Sequence, residues 1–352
     1  MQRQYLYNKY FELLWIAGPP FISFAAILLF HDYFERVQSL NTWWWVVLIL
    51  LVDVGHVYST LYRTYFDKTQ RSELNLLLKL IPAICFISAF LLYQFGATAF
   101  WRIAAYAAVW HFVRQQYGFV KVYNRQYKHK FYNRVDIITV YAACIYPLVY
   151  WHVHGPFQFT WFTANDFVFL RHPILEVMAR YLYFAILAVY VISLVMRATE
   201  KQMNASMTHL VILGTILSWY AGIVYYNSDL CFSLLNVASH GIPYLAIVWL
   251  YGKKQTQKLG DTSAYSKLYK PIGVLIFLAI PVLFGFLEEG LWDAWYWHDQ
   301  AHLFKMFYGA KVLASKEFLQ IAIPALLTPQ LTHYVLDGFI WKVSKGHVPE
   351  MH

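Results

Sequence analysis

Long runs of apolar residues alternate with short polar connections along almost the whole chain of 352 residues. A helix needs about 20 apolar residues to cross a hydrocarbon core of roughly 30 Å. The pattern therefore predicts an all-α, polytopic membrane bundle of about ten transmembrane helices, forming one integral-membrane domain over residues 1–352. The predicted spans are 11–31, 42–62, 76–96, 98–121, 134–155, 176–197, 208–227, 230–252, 268–287 and 316–341.

Composition supports a membrane protein and argues against a soluble one. Hydrophobic residues make up 59% of the chain and charged residues 13%, whereas soluble domains carry roughly 25% charged residues. Aromatic residues reach 20%, which suits interfacial belts and a bulky apolar pocket. The three cysteines lie in separate apolar runs, so they predict neither a disulfide framework nor a zinc knuckle.

The loop cations set the expected orientation. Alternate connections and both termini hold 19 basic residues, whereas the opposite connections hold four. This asymmetry predicts cytoplasmic termini and a bacterial inner membrane, and it accounts for the net charge of +9 without a nucleic-acid partner. The 19 are Arg3, Lys9, Arg63, Lys68, Arg71, Lys121, Arg125, Lys128, Lys130, Arg134, Arg197, Lys201, Lys253, Lys254, Lys258, Lys267, Lys270, Lys342 and Lys345, and the four are Arg36, Arg171, Lys305 and Lys311.

Four predicted spans carry a histidine with another polar residue on the same helical face. Polar groups inside a membrane are costly, so they are functional candidates. Each histidine lies 7 to 13 residues before the next loop cation, which is about 10–20 Å from the inner surface. The set is Asp53 and His56, His111 with Arg114 and Gln115, Asn236 and His240, and His333 and Asp337.

The shared depth predicts one metal centre in the cytoplasmic half of the bilayer. Neutral imidazole and carboxylate oxygen are ligands of non-haem iron, manganese and zinc. An aspartate one turn from a histidine could be a ligand or could orient the imidazole. We expect iron, one or two ions, because a change of oxidation state gives a reason to bury a polar site; zinc is the alternative. The expected ligands are Asp53, His56, His111, His240, His333 and Asp337.

Other polar residues of these spans have expected supporting roles. Gln115, Asn236 and Tyr334 are expected to take part in catalysis beside the metal. Arg63 and Arg114 are expected to bind a carboxylate or phosphate headgroup.

A rival cluster begins the connection 288–315, for which we expect an interfacial helix. It contains Glu289, Asp293 and the HxxxH pair His298 and His302. The HxxxH pair resembles the histidine boxes of membrane fatty-acid desaturases and hydroxylases, although the chain lacks HxxHH boxes. Single histidines spread over several spans are similar in design to the bacterial membrane carotene dioxygenases. Neither resemblance carries residue roles over to this chain.

The expected function is oxidation of a lipophilic substrate that enters from the bilayer, with an electron-donor protein as a conceivable partner. Three alternatives remain open: a haem-binding electron-transfer protein, a proton-coupled transporter, and a metal-free lipid transferase with a histidine base. The chain contains no HExxH, Walker A, GxGxxG or GxSxG motif. Nucleotide-driven transport and a Rossmann-bound cofactor therefore have no support.

Overall fold

A computed structural model describes residues 5–155, 160–201, 203, 206–260, 263–313 and 315–342. Within these residues the fold is all-helical, as the sequence predicts. The termini whose location the loop charges predict, 1–4 and 343–352, lie outside the described residues. The helices are α1 Lys9–Trp15, α2 Gly18–Leu29, α3 His31–Arg36, α4 Thr42–Arg63, α5 Lys68–Glu73, α6 Asn75–Gln94, α7 Ala97–Tyr123, α8 Lys130–Val153, α9 Pro173–Thr199, α10 Ser206–Tyr225, α11 Asp229–Lys258, α12 Ala264–Lys267, α13 Pro271–Trp297 and α14 Lys316–Ile340.

Among the described residues, seven helices are long and apolar enough to cross a membrane, namely α4, α6, α8, α9, α10, α11 and α13. The pair α1 and α2, bent by 52°, is an eighth if it forms one span. The bend precedes Pro19 and Pro20, which lack the N–H that a continuous helix would use. These helices are those of a multi-pass membrane protein.

Two further long helices, α7 of 27 residues and α14 of 25 residues, are not among these spans. Their polar side chains lower their mean hydropathy. Those side chains include His111 and Arg114 in α7, and His333 and Asp337 in α14. The helices that depart from a simple apolar pattern are therefore helices that carry candidate site residues.

Several spans expose broad apolar surfaces. On α6 and α9, the side chains of Leu91, Leu182, Ile192 and Val195 are each more than half exposed. Such contiguous apolar faces are unfavourable in water and favourable against lipid chains. The exposed faces thus agree with the membrane assignment made from helix length.

The chain divides into two compact units. Unit 1 contains Met1–Leu40, Ala108–Pro243 and Lys342–His352, and unit 2 contains Asn41–Ala107 and Tyr244–Trp341. Helices α7 and α11 contribute residues to both units.

In unit 1, α8 packs against α9 and α10, and α10 packs against α2. A fully buried ion pair joins α8 to α9: Arg197 Nη2 lies 2.8 Å from Asp136 Oδ1, and Arg197 Nη1 lies 3.2 Å from Asp136 Oδ2. Asn124 donates a further hydrogen bond to Asp136. This two-pronged geometry is the arrangement in which a buried Arg–carboxylate pair is well satisfied.

In unit 2, α14 packs against α6 and α4, and α13 packs against α4. The contact between α6 and α14 contains an apolar cluster of Leu78, Ile81, Cys85 and Leu336. This packing fixes α4 and α14 side by side, and these two helices carry the site residues of the unit.

Stretches of four helices wind as π-helix. These are Val46–Val54 in α4, Tyr220–Tyr225 in α10, Ser233–Val237 in α11 and Asp293–Trp297 in α13. π-Helical turns often occur at functional sites. Asp53 and Asn236 lie in two of them, a feature that the apolar periodicity did not predict.

Helix α13 extends to Trp297, so the connection predicted over residues 288–315 begins at His298 in the structure. Glu288 and Asp293 are buried because polar partners surround them. Tyr58 Oη and Trp292 Nε1 donate hydrogen bonds to Glu288. The backbone N–H of Gln300 and Tyr308 Oη donate hydrogen bonds to Asp293. Within this connection, a 3-10 helix spans Lys305–Leu313.

Candidate metal centre

Unit 2 contains a pair of buried histidines, His56 on α4 and His333 on α14. Each side chain is about 1% exposed, and the ring centroids lie 4.9 Å apart at an interplanar angle of 75°. A ligand nitrogen of one imidazole lies within 4.8 Å of a ligand nitrogen of the other. Two residues 277 positions apart in the sequence are thus brought to a separation that one metal ion can bridge.

A carboxylate accompanies each histidine of this pair. Asp53 Oδ1 lies 3.7 Å from His56 Nδ1, and Asp337 Oδ1 lies 3.7 Å from His333 Nδ1. The helical spacing predicted both neighbours. Both carboxylates lie on the Nδ1 side of their imidazoles, at a separation that is longer than a hydrogen bond.

Two polar side chains that the histidine pattern did not identify lie against this pair. Thr60 Oγ1 lies 2.7 Å from His333 Nδ1 and 3.0 Å from Tyr244 Oη. Tyr244 donates to Asp337 Oδ1 at 2.7 Å, and its ring packs edge-on against both imidazoles. One sequence signal was available, because Thr60 follows His56 by four residues on the same helical face.

Unit 1 contains a second pair of buried histidines, His111 on α7 and His240 on α11. Their exposures are 5% and 0%, and their ring centroids lie 4.8 Å apart at 84°. Ligand nitrogens of this pair also lie within 4.8 Å of each other. The ring of Phe112 stacks on His240 with ring centroids 3.7 Å apart and an interplanar angle of 10°. This stacking restricts rotation of the imidazole.

Two amide side chains donate hydrogen bonds to backbone carbonyls near the second pair of histidines. Gln115 Nε2 donates to the backbone carbonyl of His240 at 2.8 Å. Asn236 Nδ2 donates to the carbonyls of Ser218 and Phe232. A Cβ atom at Gly222 would lie only 2.5 Å from Asn236 Nδ2, so the absence of a side chain there lets the amide pack against the π segment of α10.

The remaining predicted residues have distinct environments. Tyr334 is half-buried beside His333, with ring centroids 5.7 Å apart. Arg63 is fully buried in unit 2, where it donates to the Ile340 carbonyl and lies 3.7 Å from the centroid of the Tyr251 ring. Arg114 is exposed and donates to Tyr141 Oη. The exposed guanidinium of Arg114 is the more accessible of the two for a headgroup.

His298 and His302, which form the HxxxH pair, do not share one helical face. His298 has a left-handed backbone conformation with φ 59°, and it ends α13. His302 lies in the following turn. Because the i, i+4 spacing places two side chains together only on a continuous helix, the structure removes the geometric basis for a metal at His298 and His302.

The ring geometry of each buried pair fits two ligands at adjacent positions of one metal. With metal–nitrogen bonds of about 2.1 Å, each ring centroid lies about 3.2 Å from the metal. Angles of 90–109° at the metal then place the centroids about 4.5–5.2 Å apart. The separations of 4.9 Å and 4.8 Å fall in this range.

Comparison of the chain with protein-family models, curated proteins and solved structures gives no significant match.

Proposed function

We propose that this chain is a membrane-embedded, metal-dependent enzyme that acts oxidatively on a lipophilic substrate. His56, His111, His240 and His333 supply the imidazole ligands, and Asp53 and Asp337 complete or orient the site. Iron is the preferred metal, in one or two ions, and zinc is the alternative. Iron would supply the change of oxidation state that the reaction needs.

The observation that carries this proposal is the geometry of the two histidine pairs. Each of the four imidazoles is buried and has a ring nitrogen that could bind a metal ion. In the pairs at 4.9 Å and 4.8 Å the rings have the separation of adjacent ligands. In unit 2, the ring of Tyr244 packs edge-on against both His56 and His333.

The haem alternative receives less support from the same geometry. Two imidazoles on opposite faces of a haem iron would have ring centroids about 6.4 Å apart, with a porphyrin plane between them. Neither pair has this separation. Within either pair, the rings are too close for two trans ligands.

Metal analysis tests the proposed function directly. We expect protein purified without chelator to carry about one or two equivalents of iron or zinc per chain, without a Soret band. After chelation, reloading with Fe(II) without oxygen and, separately, with Zn(II) distinguishes the metals by stoichiometry and by the electron paramagnetic resonance of the oxidised sample. Folded protein that retains no metal and accepts neither ion would contradict the proposal, and a Soret band would favour the haem alternative.

We further propose that α7, α14 and the α1–α2 pair also span the membrane, which gives ten spans with both termini in the cytoplasm of a bacterium. The split of 19 to four loop cations supports this orientation. We expect a C-terminal green fluorescent protein to be bright and a C-terminal alkaline phosphatase to be inactive. A phosphatase that is active at the C-terminus would overturn the orientation, and fusion in the connection after α9 provides a second cytoplasmic position.

A further inference from the structure

An apolar groove runs between α2, α9 and α10 of unit 1. Its volume is about 400 Å³, which falls in the range of about 300–1,000 Å³ that small-molecule sites occupy. Its walls include the apolar side chains of Phe24, Leu28, Phe184, Leu187 and Ile216. Leu28 and Phe184 are about half exposed, and α9 and α10 are candidate membrane spans. The groove is therefore open to lipid from the side.

Four phenols also line the groove, namely Tyr183, Tyr220, Tyr225 and Tyr226. None of their hydroxyls makes a hydrogen bond to another described residue. Tyr183 is the most informative of them, because its side chain is only 2% exposed and Tyr146 and Tyr220 stack on its ring. Its hydroxyl is not fully enclosed by protein, so the small exposed area includes it. A buried phenol usually has a hydrogen-bond partner, and an occupant of the groove can supply the acceptor.

A cation lies on the same face of α9 as the groove wall. Arg180, Phe184 and Leu187 have the i, i+4, i+7 spacing of one helical face. The Arg180 side chain is 46% exposed, and its Nε lies 3.8 Å from Glu176. The two terminal nitrogens of Arg180 make no hydrogen bond to a described residue, so they are available to an anion.

Arg180 also indicates the depth of Tyr183 in the membrane. An exposed charge on a membrane span lies at or near the level of the lipid headgroups. Tyr183 follows three residues later, about 4.5 Å along the helix axis. Because helical side chains tilt toward the N-terminal end of their helix, the Tyr183 hydroxyl reaches the boundary between headgroups and hydrocarbon.

We propose that this groove binds one glycerophospholipid of the surrounding membrane, with its phosphate at Arg180, an ester carbonyl at Tyr183 and one acyl chain along Leu187 and Ile216. The three parts of such a lipid follow one another in the same order as the cation, the phenol and the apolar wall. A guanidinium donates to phosphate oxygens, and a phenol can donate to a carbonyl, which only accepts. This site is independent of the proposed metal-dependent function.

Other occupants fit these features less well. A volume of 400 Å³ corresponds to about one turn of a helix about 10 Å across, so a partner helix would lie mostly outside the groove. A pure hydrocarbon would leave the Tyr183 hydroxyl without an acceptor. A phospholipid satisfies both the apolar walls and the polar groups.

Native mass spectrometry of the detergent-solubilised protein measures the contribution of each lipid group. The ligands are a diacyl phosphatidylethanolamine, its dialkyl ether analogue, which lacks the ester carbonyls, and a diacylglycerol, which lacks the phosphate. We expect the diacyl phospholipid to bind about 2–10-fold more tightly than the ether analogue, as for one neutral hydrogen bond. It should bind about 2–5-fold more tightly than the diacylglycerol, as for an exposed ion pair.

Two variants assign these preferences to residues. Tyr183→Phe should remove the preference for ester over ether, and Arg180→Gln should remove the preference for phospholipid over diacylglycerol. Tyr190→Phe is the matched control, because Tyr190 is also on α9 and 2% exposed, but its hydroxyl contacts His209 Nδ1 at 2.9 Å. Both preferences should be unchanged in Tyr190→Phe.

A third variant blocks the groove itself. Leu187→Trp should weaken binding of the diacyl phospholipid by more than about tenfold, because the added ring occupies the space of the acyl chain. Val191→Trp makes a similar change one turn further along α9, where Val191 is 57% exposed and does not line the groove. It should bind the lipid as the unmodified protein does.

Several results would overturn the proposal. Equal affinity for the ester and ether lipids in the unmodified protein would remove the contact with Tyr183, and an equal loss in Val191→Trp would remove the groove as the site. A lipid-free dimer that separates in Leu187→Trp would assign the groove to a second copy of the chain. Thermal unfolding identifies variants that fail to fold, and the smaller change Leu187→Phe then replaces Leu187→Trp.

Discussion

Replacing both histidines of either buried pair with alanine is expected to abolish metal binding. If the four histidines proposed as ligands hold one ion, that ion loses half of its imidazole ligands in His56→Ala/His333→Ala, and likewise in His111→Ala/His240→Ala. Because alanine supplies no ligand atom in place of a metal–nitrogen bond of about 2.1 Å, we expect metal content below about one tenth of the unmodified level. The measurement is metal per folded chain after gel filtration, with activity as a second readout when a substrate is known.

The two double variants also distinguish one shared site from two separate sites. If each unit held its own ion, either double variant would retain about half of the metal. The control is His298→Ala/His302→Ala, which also replaces two histidines. Both lie in the connection after α13, and this variant should keep full metal content. Loss of metal in this control, with His56→Ala/His333→Ala still fully loaded, would move the site to the connection that follows α13.

The largest loss of stability is expected from breaking the ion pair of unit 1. In Asp136→Ala, the fully buried Arg197 guanidinium loses the carboxylate that both of its terminal nitrogens contact. Breaking a buried pair by removing one partner costs about 3–5 kcal/mol, because a charge stays buried without its partner. Thermal or denaturant unfolding of the detergent-solubilised protein measures this loss.

Two comparisons identify the origin of that loss. The double variant Asp136→Leu/Arg197→Leu removes both charges and should be more stable than Asp136→Ala. Arg180→Ala breaks the pair with Glu176, in which the Arg180 side chain is 46% exposed and the separation is 3.8 Å. Because an exposed ion pair contributes only about 0–1 kcal/mol, this variant should unfold close to the unmodified protein. An equal loss in Arg180→Ala and Asp136→Ala would contradict the buried-charge explanation.

Apolar run length and helical periodicity predicted much of what surrounds the candidate site. The pairing of Asp53 with His56, and of His333 with Asp337, depends only on one turn of helix, and both pairs have the expected proximity. Local backbone geometry alone determines which residues share a helical face. The sequence therefore contains this information without any knowledge of the packing of helices.

Contacts between distant segments were not predictable in the same way. Thr60 meets His333 across 273 positions and Tyr244 across 184 positions, and a threonine in an apolar span has no pattern that names its partner. The extension of α13 beyond Glu288 was also missed, because charged residues in a sequence indicate solvent. In the folded chain, Tyr58 and Trp292 supply Glu288 with hydrogen-bond donors, and this compensation depends on tertiary packing.

The π-helical segment Val46–Val54, which directly precedes Gly55 and His56, has a consequence for how the length of α4 can vary. A π turn has i to i+5 hydrogen bonds and so holds more residues than an α turn. In an ordinary transmembrane helix, deletion of one residue rotates everything that follows by about 100°. Here one π turn can tighten to an α turn and absorb the deletion, so that Thr42–Trp45 and His56 keep their relative orientation. Helix α4 can therefore lose one residue within Val46–Val54 without a change in the orientation of His56.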